Sequence, residues 1–236
     1  MSVIDHLTEL RYRLVICIAS VVVGALVAYV FYEPLLAFIK HPIDTAGSVG
    51  EVKVTDLFVQ GVATAFIFRL KVSAFAGFAF ALPVVMFQLW RFVTPALDPR
   101  EKRYAIPFVL SSLGLFAFGG FLAFKILPVA IEFLLGFVPP AQPLILLTEY
   151  LNFVIYMVLG FGLSFQFPLV LVSLAAVGLL DSRTLRKRRR MAILMAFILA
   201  ALATPGGDPL SQTTMAVPLY ILYELSILVI RYGLKR

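Results

Sequence analysis

One cysteine, two histidines and one tryptophan leave this chain short of the side chains that metal and redox chemistry require. Cys17 stands alone inside an apolar run, so an intramolecular disulfide or a cysteine-cluster metal site is excluded. His6 precedes the first apolar run and His41 follows it, which leaves no membrane-embedded histidine pair to bind metal or relay protons. There is no nucleophile motif, no Walker-type phosphate loop and no pair of intramembrane carboxylates. An enzyme is therefore not expected, nor a metal or other cofactor. Charge is scarce as well, at 14% of residues, and no internal repeat or Gly/Ser linker divides the chain. Residues 1–236 are expected to form a single domain.

What is abundant is apolar surface: 61% of residues are hydrophobic and the mean hydropathy is +0.99, values that no water-soluble core with a polar coat would give. A helix needs ~20 apolar residues to cross ~30 Å of hydrocarbon. Uncharged or nearly uncharged runs predict six such helices, at approximately 13–32, 68–90, 104–127, 150–179, 190–204 and 211–231. Membrane β-barrels alternate over ~10-residue segments, whereas these runs are continuously apolar. The expected class is an all-α polytopic membrane protein. The first run lacks a small-x-small cleavage site and ends in Tyr32-Glu33-Pro34, so it is expected to be a retained span.

The cations fix an orientation. Of twenty Lys and Arg, fifteen fall in four groups: Arg11 and Arg13; Arg91, Arg100, Lys102 and Arg103; Arg183 with Arg186 to Arg190; and Arg231, Lys235 and Arg236. Alternate span boundaries carry these groups, which reads as the positive-inside pattern and not as a nucleic-acid footprint. Both termini are expected in the cytoplasm. Trp90, beside Arg91, reads as an interfacial anchor.

Prolines at 83, 107, 128, 168 and 218 sit within or at the ends of the spans, and Gly160 and Gly162 loosen the fourth. Each proline removes a backbone donor, so the six helices are expected to be kinked and to form a bent, open bundle. From Met191 to Ala203 the fifth span offers too few residues to cross comfortably, and both of the last two helices are expected to be short. Either the bilayer thins around the last hairpin, or the helix extends into the basic run. Residues 33–66 and 138–149 are the longest connections; the first carries apolar patches suited to an interface, the second Pro139, Pro140 and Pro143, which favour extended or turn structure.

Polar groups inside the membrane are functional candidates by default. Gln166 lies in Ser164-Phe165-Gln166-Phe167-Pro168 and Glu224 in Tyr223-Glu224. An interhelical hydrogen bond accounts equally well for Gln166, and pairing with a cytoplasmic cation for Glu224. Before the first span, Asp5, Glu9 and Arg13 follow at i, i+4 spacing, placing two acids on one helix face, where like charges repel. Glu101 is a single acid between Arg100 and Lys102.

Taken together, His6 through Arg13, then Gln88-Leu89-Trp90-Arg91-Phe92-Val93-Thr94-Pro95-Ala96-Leu97 with Glu101-Lys102-Arg103, closely resemble the signatures of the TatC family. Phe165 to Pro168, the turn from Thr204-Pro205 through Asp208 to Ser211-Gln212, and Tyr223-Glu224 extend the resemblance to nearly the whole chain. TatC is the polytopic, signal-peptide-receptor subunit of the twin-arginine translocase. The resemblance implies binding of twin-arginine signal peptides of folded precursors at the cytoplasmic face, assembly with TatA- and TatB-type single-span subunits, self-association, and export driven by the proton-motive force across a bacterial inner membrane. It places the two motif-binding acids on Glu9 and Glu101, with Arg11 and Phe92 beside them and Gln166 facing the peptide's apolar part. A carboxylate accepts the planar two-pronged donation of a guanidinium, which lysine cannot reproduce. Phe92 serves equally as an interfacial anchor. The family usually has glutamate where Gln166 stands, and an amide cannot titrate. Asp208, Gln212 and Glu224 match further family positions that support the last hairpin or dock partners. The alternative is a secondary transporter of a small solute, which would also have kinked helices and midplane polar groups but would need symmetric halves and an ion relay.

Overall fold

The structure, a computed structural model, describes residues 3–45, 48–49, 52–53, 57–93, 105–137, 145–176, 178–204 and 207–233. Glu101, with Thr94 to Arg103 around it, and the prolines at 139, 140 and 143 lie outside the described residues. The chain is all-α apart from two-residue strands, in the order α1 (Val3–Val30), α2 (Tyr32–Thr45), β1 (Ser48–Val49), β2 (Val52–Lys53), β3 (Leu57–Phe58), α3 (Val62–Val93), α4 (Ala105–Leu135), β4 (Ile145–Leu146), α5 (Leu147–Ser164), α6 (Phe167–Ala176), α7 (Ser182–Lys187), α8 (Arg189–Ala203) and α9 (Pro209–Leu228), which runs on as a π-helical turn, Val229–Gly233. Among the described residues, five stretches are long and apolar enough to cross a membrane: His6–Val30, Ala63–Phe92, Ile106–Leu135, Leu147–Ala176 and Pro209–Gly233. The fifth expected span is α8, whose 15 residues reach only ~22 Å at ~1.5 Å per residue. Arg189 and Arg190 join that helix, but a break at Arg188 separates Arg186 and Lys187 into α7.

Two compact units divide the contacts. The first comprises residues 1–38 and 61–113. Its core is the α1–α3 pair, whose backbones touch at Gly24 and Gly77: a Cβ built on Gly24 would lie 2.6 Å from the Gly77 carbonyl oxygen. Small residues permit such an approach, which in lipid replaces the missing hydrophobic drive with close van der Waals contact. Below the contact, Ser112 Oγ donates to Met86 Sδ over 3.0 Å, and the Trp90 and Phe108 rings lie 4.6 Å apart, so the start of α4 packs on the end of α3. Towards the other end of the pair, the Arg69 guanidinium lies between Tyr29 and Tyr32, 4.4 and 4.7 Å from the ring centroids.

The second unit comprises residues 39–60 and 114–236. Its central feature is an interruption of the fourth span. Pro168 has no N–H to give Ser164, so α5 closes with Phe165 N–H donating to Phe161 O, and α6 restarts on the Gln166 carbonyl, which accepts from Leu169 and Val170. Phe165 is fully buried at the break and packs 5.7 Å from Phe118. Gly119 of α4 and Gly160 of α5 let neighbours in: Cβ atoms there would lie 2.9 Å from Phe161 O and 2.7 Å from Ala203 Cβ. The span ends where Gly178, at φ +87°, caps α6, with Gly178 N–H donating to Ala175 O and Leu179 N–H to Leu174 O.

The connection read from sequence as an extramembrane loop over 33–66 is largely ordered into helix. In α2 the residues Ile39, Pro42 and Ile43 are buried, and the Tyr150 hydroxyl of α5 donates to Ile39 O over 2.6 Å, using a carbonyl in the turn that Pro42 disrupts. At 57–58 the chain pairs in parallel with 145–146. The second connection gives way to α5 at Leu147, two residues before its expected end at Glu149.

Candidate functional site

The N-terminal part of α1 and the C-terminal end of α3 bring one group of expected site residues together. Helical spacing puts His6, Glu9 and Arg13 on successive turns of α1, and Gln88 and Phe92 on successive turns of α3. His6 stacks on Phe92 with centroids 4.3 Å apart. Arg13 donates from Nε to Glu9 Oε1 at 3.1 Å, contacts the same oxygen through Nη2, and donates from Nη1 to Gln88 Oε1 at 3.2 Å. Gln88 is buried, and the Glu9 and Arg13 side chains keep only 20% and 12% of their exposure, so this is a shielded pair and not a solvated one. Glu9 Oε2 is buried with no hydrogen-bond partner among the described residues. Half of the carboxylate is thus fixed, and the other half is an unused acceptor. Such an oxygen is costly to leave unpaired and accepts a charged N–H donor well. Arg11, about 200° around α1 from both Glu9 and Arg13, is exposed on the other side of the helix.

Sequence reasoning placed Glu9 in a stack of two acids; its partner in the structure is Arg13. The glutamate-before-arginine i, i+4 order that favours this pair was visible in the sequence. Gln88, which ties Arg13 to α3, carried no signal beyond its place in a motif.

The remaining expected residues belong to the second unit. Gln166 is half-buried at the α5–α6 break, where its own carbonyl nucleates α6. Asp208 caps α9: Oδ1 accepts from Ser211 N–H at 2.7 Å, and Pro209 follows at the first helical position. Asp208 is 2% exposed, and its Oδ2 has no partner among the described residues. Gln212 Nε2 donates to Phe197 O at 3.2 Å, joining α9 to α8. Glu224 accepts from Arg189 Nη2 at 2.7 Å and from the Tyr220 hydroxyl at 2.9 Å. The cation that sequence reasoning expected for Glu224 is therefore Arg189, at the first position of α8. Asp208, Gln212 and Glu224 hold the last hairpin at its two ends and along one face.

Asp208→Ala should lower stability by about 1 kcal/mol or somewhat more, because a cap is lost at a buried site, while Asp208→Asn keeps the acceptor and should cost less. Thermal unfolding in detergent would order the three proteins wild type, Asn, Ala; an alanine variant as stable as wild type would remove the capping role.

Over residues 5–218 the chain matches the family described as Sec-independent protein translocase protein (TatC). It is 40% identical over 235 residues to the Sec-independent protein translocase protein TatC of Desulforapulum autotrophicum, covering 98% of this chain and 85% of that relative. Against the same protein of Aquifex aeolicus it is 38% identical over 231 residues, 96% and 93% of the two chains. A crystal structure of the twin arginine translocase receptor TatC in DDM is similar with a TM-score of 0.79 at 37% identity, covering 95% of this chain and 98% of that one. A further crystal structure of the twin arginine translocase receptor TatC gives 0.77 at 36% identity, with 96% and 98% covered.

Proposed function

Since the chain belongs to the TatC family of Sec-independent protein translocase proteins, we propose that it is the receptor in its translocase, binding twin-arginine signal peptides of folded precursors and organising assembly for export driven by the proton-motive force. It is a multi-pass membrane protein of a protein-transport system. The observation that carries the receptor reading is Glu9, a shielded carboxylate with one oxygen held by Arg13 and the other unpartnered among the described residues. One arginine of the incoming motif takes Glu9 Oε2; the second takes Glu101, as the family resemblance assigns it. The His6–Phe92 stack and Arg11 border the peptide, and the apolar part of the signal lies along the chain's interior, where Gln166 offers hydrogen bonds but no titration.

The same reading makes residues 1–236 one transmembrane domain of six spans, with α8 as the fifth, in a cytoplasmic membrane and with both termini in the cytoplasm. The distribution of cations supports that orientation. The partners are TatA- and TatB-type subunits and further copies of the chain, docked in part through the hairpin that Asp208, Gln212 and Glu224 secure. The protein works by recognition and assembly, not by catalysis.

Binding of a fluorescent twin-arginine signal peptide to the purified chain, set against its Lys-Lys counterpart, tests this directly. Because a lysine ammonium cannot give the paired donation of a guanidinium, the Lys-Lys peptide should bind about tenfold more weakly, and Glu101→Ala should erode that preference. Equal affinity for the two peptides would sink the reading.

A further inference from the structure

The corner between α7 and α8 carries six cations in eight residues: Arg183, Arg186, Lys187, Arg188, Arg189 and Arg190. Glu224 accounts for one of them, Arg189. The other five are exposed and form no ion pair among the described residues.

The corner is nonetheless a built surface. Asp181 caps α7 by accepting from Thr184 N–H at 2.8 Å, and that hydrogen-bonding with Thr184 holds its carboxyl below the ordinary aspartate range. Ser182 and Leu185 are buried, and the buried Tyr223 of α9 donates from its hydroxyl to Leu185 O at 2.7 Å. With α7 pinned from beneath, its cations face outward. Directly beyond them, Met191, Leu194, Ile198 and Leu202 follow at i, i+3, i+7 and i+11, which is one face of α8, and they are 56, 53, 42 and 80% exposed.

A band of unpaired cations running straight into an uncovered apolar stripe matches one kind of molecule in a membrane: an anionic headgroup joined to acyl chains. We propose that the α7–α8 corner is a docking surface for anionic phospholipid, with the headgroup phosphate between Arg186, Lys187 and Arg190 and the chains along Met191, Leu194 and Ile198. A zwitterionic lipid carries its own ammonium and gains less from such a site. The short α8 favours the same occupant, because a span that ends early draws the headgroup layer down to its first residues. The site shares no residue with the set assigned to signal-peptide binding.

Native mass spectrometry of the purified full chain, titrated with phosphatidylglycerol or phosphatidylcholine, measures the effect. Wild type should bind phosphatidylglycerol at least about tenfold more tightly than phosphatidylcholine. The triple variant Arg186→Gln, Lys187→Gln, Arg190→Gln should lose that preference, while Lys125→Gln, in α4, should keep it. Leu194→Ser with Ile198→Ser leaves every cation in place and should weaken phosphatidylglycerol binding several-fold. Excess inorganic phosphate should displace little of the lipid, since it lacks the chains; full displacement would mean an adventitious anion site. Should the triple variant fail to fold, the single variants Arg186→Gln and Arg190→Gln serve instead, and each should erode the preference; an unaltered preference in both would overturn the proposal. Equal binding of the two lipids to wild type, or an unaltered preference in a folded triple variant, would overturn the proposal.

Discussion

Gly77→Leu is expected to destroy the first unit, so that the protein fails to accumulate in the membrane or unfolds well below wild type in detergent. A Cβ at position 77 would overlap the backbone nitrogen and Cα of Ala25 and come within 2.8 Å of its Cβ. Flexible side-chain ends could yield, but these are main-chain atoms of a packed helix, and the only relief is to part α1 from α3. Overpacking typically costs about 1–3 kcal/mol, and a clash with backbone belongs at or above the top of that range. Parting the helices would also stretch the link from Arg13 on α1 to Gln88 on α3. Gly114, around which a Cβ would meet nothing within 4 Å, supplies the contrast. Gly114→Ala should be neutral or slightly stabilising through helix propensity alone. Thermal unfolding of both variants decides the matter: a Gly77→Leu protein as stable as Gly114→Ala would mean that the close α1–α3 crossing does not hold the first unit together.

The second large effect is on recognition. Glu9→Ala should weaken binding of a twin-arginine signal peptide by about tenfold or more, since a charge-assisted hydrogen bond is worth about 1.5–3 kcal/mol and this carboxylate is shielded enough to keep much of that. Glu9→Gln retains an acceptor without the charge and should fall between wild type and alanine. Both variants should bind with a shallower dependence on salt, because one ion pair is lost. Glu9→Ala leaves the shielded Arg13 with Gln88 as its remaining acceptor, so its unfolding temperature should fall as well, whereas Glu9→Gln keeps an acceptor for Arg13 and its loss of affinity can be read as recognition. An unchanged affinity in a folded but less stable Glu9→Ala protein would return Glu9 to a purely structural role as the partner of Arg13.

The spanning helices were legible from hydropathy because a ~30 Å apolar slab imposes a length on any helix that crosses it, and the family was legible from short motifs at both ends of those helices. Tertiary detail was not. The sequence of α2 reads as a polar connection with apolar patches, since Pro42 and three charged residues, Glu33, Lys40 and Asp44, dilute its signal; what holds it as a helix is burial of Ile39 and Ile43 and a donor supplied by Tyr150. Proline at 168 announced a bend, yet not that the helix would stop and begin again on the carbonyl of Gln166. The Glu9–Arg13 pair shows the opposite failure: its spacing was in view, but attention went to the repulsion between Asp5 and Glu9. For Glu224, a free cation at the right depth was enough to anticipate the contact with Arg189.

The hydrogen bond from Tyr150 to Ile39 joins positions 111 residues apart. At the usual ~5–20 residues per second of synthesis, the acceptor waits roughly 5–20 s for its donor to be made. During that interval α2 has left the ribosome without the helix that completes its turn, whereas α8 and α9 follow each other almost at once. Tyr150 therefore acts as a late latch in biogenesis: a ribosome stalled before residue 150 would leave α2 open to proteases, and one stalled after α5 has emerged would leave it closed.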